Sequence, residues 1–117
     1  MAKYAFLGGY KAETWAHLVA NPGDRQAAIQ KAAERVGARV ETLYWSFGDD
    51  DFLVIGEAPD DTTAAAFAVG VASSGALRNI RTVKLITTSE MPGVLAKAKD
   101  VAGAYVPPGA RQPVGVN

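Results

Sequence analysis

The stretch from Arg39 to Asp61, RVETLYWSFGDDDFLVIGEAPDD, constrains the fold more than any other part of the chain. Its order dictates a strand, a tight Gly/Asp turn, a second strand and a Pro-Asp helix entrance. Successive side chains of a strand point to opposite faces. One face of this hairpin therefore collects Leu43, Trp45, Phe47, Phe52 and Val54; the other collects Thr42, Tyr44, Ser46, Leu53, Ile55 and Glu57. Each face is at least half apolar, and a hairpin of that kind is expected in mid-sheet, covered on both sides.

The flanking segments supply the rest of a sheet-and-helix domain. Tyr4 to Tyr10 (YAFLGGY) is short and rich in aromatics, as a first strand is. Its Gly8-Gly9 pair suits close backbone approach or a bulge, and it does not extend into a dinucleotide-binding GxGxxG. Thr14 to Ala20 is expected as a linker with one helical turn, carrying Trp15 and the only histidine, His17. Asn21-Pro22-Gly23-Asp24 is a helix start, with Asn21 as the expected cap and Asp24 favourable to the helix dipole. Ile29, Ala32, Ala33 and Val36 then fall on one face, Arg25, Lys31, Glu34 and Arg35 are expected in water, and Gly37 is the stop. After the hairpin, Asp60 is the expected cap of a second helix whose buried stripe is Ala64, Phe67, Ala68, Val71 and Ala72, ended by Ser73-Ser74-Gly75. Ile80 to Thr88 is expected as a fourth strand, and residues 91–102 as a short helix.

The order β-α-β-β-α-β predicts an α+β, ferredoxin-like fold: a four-stranded antiparallel sheet with both helices on one face. The expected domain spans residues 1–103, with its core over 4–88. Residues 104–117, dense in Pro and Gly, are expected as an extended or disordered tail. Two short helices cover one face only, and the apolar side chains left on the other imply an interface.

Charge and composition exclude several functions. Twelve Lys and Arg balance twelve Asp and Glu, so no basic field exists for a nucleic acid. The absence of cysteine removes disulfides, thiolate metal sites and a cysteine nucleophile. A single histidine makes a zinc, copper or haem site improbable, and no metal or cofactor is expected. No apolar run approaches the roughly 20 residues that cross a membrane, and the N-terminal run is too short and too soon charged for a secretory signal. A cytoplasmic protein is expected.

Tyr44-Trp45-Ser46-Phe47-Gly48, then Asp51 entering an apolar strand, then Glu57-Ala58-Pro59-Asp60-Asp61 before an Ala-rich helix, together resemble the GYD domain family. The resemblance runs in order from Tyr4 to Thr88. It departs at the tyrosine for which the family is named, where Asp50 stands between Asp49 and Asp51. The family sits among the dimeric α+β barrels, so the resemblance implies a homodimer that pairs its sheets. The wider superfamily includes cofactor-free monooxygenases, isomerases and ligand-binding modules, and so does not choose a function.

Four side chains are candidates for chemistry. Tyr44, Ser46 and Glu57 share one hairpin face with Leu53 and Ile55, and a few polar groups among apolar ones suit a small-molecule pocket between sheet and helices. A partly buried Glu57 is expected to have a raised pKa and to act as acid or base; alternatively it serves cross-strand hydrogen bonding, or pairs with Lys84 or Arg81. His17, the only histidine, is the other candidate base, or a loop residue packed by Trp15. Asp49-Asp50-Asp51 lacks the spacing of a calcium loop and is expected as a solvated hairpin tip. The leading expectation is a homodimer that binds a small, partly apolar molecule. A cofactor-independent oxygenase or isomerase using His17 or Glu57 as base is the second reading, and a structural or assembly role without ligand is the third.

Overall fold

A computed structural model gives the fold, and the structure describes residues 1–110. The chain divides into two compact units, Met1–Leu85 and Ile86–Asn117. The first unit contains β1 (Ala2–Tyr10), α1 (Ala12–Ala20), α2 (Arg25–Glu34), β2 (Arg39–Trp45), β3 (Phe52–Ala58), α3 (Asp61–Ala72) and β4 (Leu77–Leu85). The strands form one antiparallel sheet in the order β2-β3-β1-β4. This is the expected ferredoxin-like α+β arrangement. In the second unit, α4 (Met91–Ala104) begins with a proline in its first turn, where the missing N–H breaks no helical bond. The tail expected over residues 104–117 lies outside any helix or strand from Tyr105 to Ala110, and beyond residue 110 it falls outside the described residues.

The register separates two faces. On the inner face, toward α2 and α3, Tyr4, Phe6 and Gly8 of β1 stand beside Gly56, Val54 and Phe52 of β3. Leu43 and Trp45 of β2 stand opposite Val54 and Phe52. Tyr4, Phe6, Tyr10, Phe52, Val54, Ala58, Ala64 and Ala68 form the buried core, and Phe67 and Ile29 pack against it. Gly8 is required by space: a Cβ there would meet the Asn79 carbonyl at 2.5 Å and the Phe52 ring at 2.8 Å. On the outer face, Lys3, Ala5 and Leu7 stand beside Glu57, Ile55 and Leu53, and beside Leu85, Val83 and Arg81.

The hairpin parity is as expected, but the hairpin does not sit wholly in mid-sheet. β3 is internal and alternates buried with half-buried residues, whereas β2 is the edge strand and is mostly exposed. An edge strand has one neighbour fewer to cover its side chains, so Tyr44 stays 60% and Trp45 46% exposed. Phe47 lies past the end of β2 and is fully exposed rather than part of the apolar face.

Local chemistry sets the helix ends. Asp24, not Asn21, caps α2, its carboxylate accepting the Ala27 N–H at 3.0 Å. Gly37 follows at a φ of 74°, the left-handed stop. Asp60 caps α3 as expected, accepting from the Thr63 N–H at 2.8 Å. The segment expected as a linker is instead a full helix, α1. Ala12, Ala16 and Ala20 favour it, and Thr14 ties it down by donating to the Ala76 carbonyl at 2.7 Å. β4 starts three residues earlier than expected because Leu77 pairs with Tyr10. The buried Tyr4 hydroxyl donates to Asp61 at 2.5 Å, and that bond, before any effect of burial, pushes the phenol up to about 12.

Candidate functional site

The inner face does not close completely on its helices. Between the sheet, α2 and α3 lies a cavity of about 200 Å³. Phe6, Tyr10, Phe52 and Val54 line it from β1 and β3, Ile29 and Ala32 from α2, Phe67 and Val71 from α3, and Leu77 and Ile80 from β4. The reason is compositional. α2 and α3 present alanines toward the sheet at several turns, and small side chains leave unfilled space beside large aromatic ones. Mostly apolar walls of this kind favour apolar guests.

One charged residue reaches this cavity. Arg25, the first residue of α2, lines it, and its Nε is buried without a hydrogen-bond partner among the described residues. Arg25, Tyr10 and Ala76 also line an outer cleft with Thr14, His17, Leu18 and Asn21. His17 therefore stands in an outer cleft that shares Tyr10 and Arg25 with the apolar cavity, exposed on α1.

The neighbouring hairpin end is fastened rather than solvated. Asp51 accepts the Tyr10 N–H at 2.9 Å and the Trp15 indole N–H at 3.3 Å, with Arg78 at 3.6 Å. The Asp51 N–H donates to the Gly8 carbonyl at 2.7 Å, and Asp50 pairs with Arg81 at 2.6 Å. The Asp49 carbonyl accepts from Arg78 at 2.6 Å. The carboxylates of Asp50 and Asp51 therefore bind separate partners, and among the described residues no three acidic or histidine side chains gather as metal ligands. Above Asp51, Tyr10 meets Trp15 edge-on at 5.4 Å, Trp45 lies 5.8 Å from Trp15, and Phe52 lies 5.3 Å from Tyr10. This aromatic group joins α1 to the end of the sheet beside the cavity.

Tyr44, Ser46 and Glu57 share a parity, but it turns them to the outer face, away from α2 and α3. They do not line the sheet–helix cavity. Tyr44 is exposed, and Ser46 donates to the Asp50 carbonyl at 2.7 Å, closing the turn. Glu57 accepts from Lys3 at 3.0 Å and from Arg39 at 2.9 Å, and Lys3 also pairs with Glu41. The pairing expected with Lys84 or Arg81 does not occur, since Lys84 binds Asp61 at 3.5 Å and Arg81 binds Asp50. The hydrogen bond from Lys3, with the nearby Arg39 charge, holds the Glu57 carboxyl below its ordinary value rather than above it. Burial opposes this shift and is outweighed. Glu57 is thus kept ionised, the reverse of a carboxyl tuned as an acid near neutral pH.

Two residues of the site were not anticipated. The charge of Arg25 assigns it to water, although it lies four residues before Ile29 and seven before Ala32 and so falls on the same face of α2. Asp51 could have been anticipated: a carboxylate entering an apolar strand beside aromatic residues requires donors, and Trp15 supplies one.

Among the described residues no helix is long and apolar enough to cross a membrane. A family model described as the GYD domain matches residues 4–95. No curated protein matches the chain.

Proposed function

The chain belongs to the GYD domain family, and from that premise we propose that it is a binding module for a small, partly apolar molecule, held in the cavity between the sheet and α2 and α3. The single observation that carries this reading is an apolar cavity of about 200 Å³ beside an outer cleft that shares Tyr10 and Arg25 and carries Thr14, His17 and Asn21. Binding sites typically combine mostly apolar walls with a few polar groups. The ligand site is therefore moved from Tyr44, Ser46 and Glu57 to the inner face, with His17 in the outer cleft. Catalysis with Glu57 as base has no support in this geometry, because that carboxylate is ion-paired on the opposite face.

The outer face supports a second copy of the chain as partner. Leu7, Leu53, Ile55 and Val83 stand there beside Tyr44, and Val83 is 40% exposed. Sheet-to-sheet pairing of two copies would bury more than about 1,000 Å², the threshold of a stable interface. Light scattering should give twice the chain mass of 12.2 kDa at micromolar concentration, and a monomer mass contradicts the pairing. For the cavity, calorimetric titration with a panel of small aromatic and alkyl compounds should find binders. Ala32→Phe, which fills the space from α2, should abolish that binding while the protein stays folded. A panel that binds neither protein, or binds both equally, contradicts the reading.

A further inference from the structure

One cationic side chain, Arg25, lines the cavity without a counter-ion among the described residues, and its Nε is buried and unpartnered. The acid adjacent in sequence, Asp24, is committed to capping α2 through Ala27. The Nε itself is enclosed by protein, but a cationic side chain that lines both the cavity and the outer cleft without a counter-ion among the described residues suits an anionic partner that arrives with the ligand.

The chemistry of that partner follows from the guanidinium. Arginine donates only and does not lose its charge at accessible pH, so the partner must accept. A carboxylate does so best: its two oxygens match adjacent guanidinium N–H groups, and the hydrogen bonds are charge-assisted. The walls define the rest of the molecule. A cavity of roughly 150 Å³ lined by aliphatic and aromatic groups holds benzene. The 200 Å³ here accommodates one aromatic ring or a short alkyl chain among Phe6, Ile29, Phe52 and Phe67. Resting on the reading of this cavity as a ligand site, we infer that its ligand is a small aryl or short-chain alkyl carboxylate. The hydrocarbon body lies in the cavity and the carboxylate meets the Arg25 guanidinium on the side of the outer cleft.

The test is a calorimetric titration at neutral pH with three probes of one shape: 3-phenylpropanoate, 3-phenylpropan-1-ol and 3-phenylpropylamine. The wild type should bind the carboxylate about tenfold or more tighter than the alcohol, with the amine weakest. Arg25→Met should erase that preference. Should this variant fail to fold, the probe series on the wild type decides alone. An alcohol that binds as tightly as the acid, or a preference that survives Arg25→Met, overturns the assignment of a carboxylate to Arg25 and leaves the cavity reading standing. If no probe binds the wild type, the cavity reading falls and this inference with it.

Discussion

The two faces of the sheet are built from alternate residues of the same strands, yet they are finished by different physics. The inner face is closed by helices over Tyr4, Phe6, Phe52 and Val54, and small residues on α2 and α3 leave a cavity behind. The outer face carries Leu7, Leu53 and Ile55 between two ionic groups: Lys3, Arg39, Glu41 and Glu57 at one end, and Arg81 with Asp50 at the other. The inner face is thus suited to enclose a guest. The outer face, with polar margins around an apolar middle, is suited to meet another surface. Adjacent residues of one strand, Phe52 and Leu53, belong to these two different roles.

The comparison breaks most sharply at that pair. Phe52→Ala removes a buried ring from the aromatic core and should cost about 3–5 kcal/mol of stability. Leu53→Ala, half-buried on the outer face, should cost the fold less and should instead weaken self-association. Urea unfolding of both variants at equal, low protein concentration checks this; equal costs would erase the distinction between the faces. Next in size is Gly8→Ala, whose methyl would press on the Asn79 carbonyl and the Phe52 ring. Such overpacking should cost about 1–3 kcal/mol, and a neutral outcome by the same measurement would show that β1 and β4 can part. Removing the α2 cap with Asp24→Ala should cost about 1 kcal/mol. Because Arg25 opens this helix, the variant should also weaken binding in the cavity, read by titration.

How much of this was legible in the residues depended on the kind of signal. Strand parity, the Asp60 cap and the Gly37 stop follow from local rules, and the ferredoxin-like class followed from the order of the elements, but that β2 lies at the sheet edge did not. Nor did the choice of face. Parity sorts Tyr44 from Trp45 but does not say which of them meets the helices; the packing of Tyr4, Phe6 and Ala64 decides that. A comparison of polarity would have helped, since the inner positions Leu43, Trp45, Phe52 and Val54 are all apolar while Thr42 and Glu57 are not. The partners of Glu57 depend on cross-strand register, which sets Lys3 directly opposite it and places Lys84 on the other face. Arg25 could have been seen, since its spacing to Ile29 and Ala32 places it on the apolar face of α2; its charge alone assigns it to water.

A smaller effect sharpens the outer face through pH. The folded-state pKa of Glu57 is lowered, so its contribution to stability is present above the unfolded value of 4.5 and is lost as pH falls through the folded value. Glu57→Gln should therefore melt below the wild type at pH 7, and the gap should close as pH drops below that value. Melting curves across this range check the sign. Ligand affinity should not change, because Glu57 faces away from the cavity.

The most direct measurement is a methyl-resolved NMR titration of the whole chain with 3-phenylpropan-1-ol, an uncharged probe that makes no demand on Arg25. The account predicts shifts at Ile29, Val54, Val71 and Ile80, which line the inner cavity, and none at Ile55 or Val83, which face outward. Shifts confined to Ile55 and Val83, or no shifts at any methyl group, would contradict it.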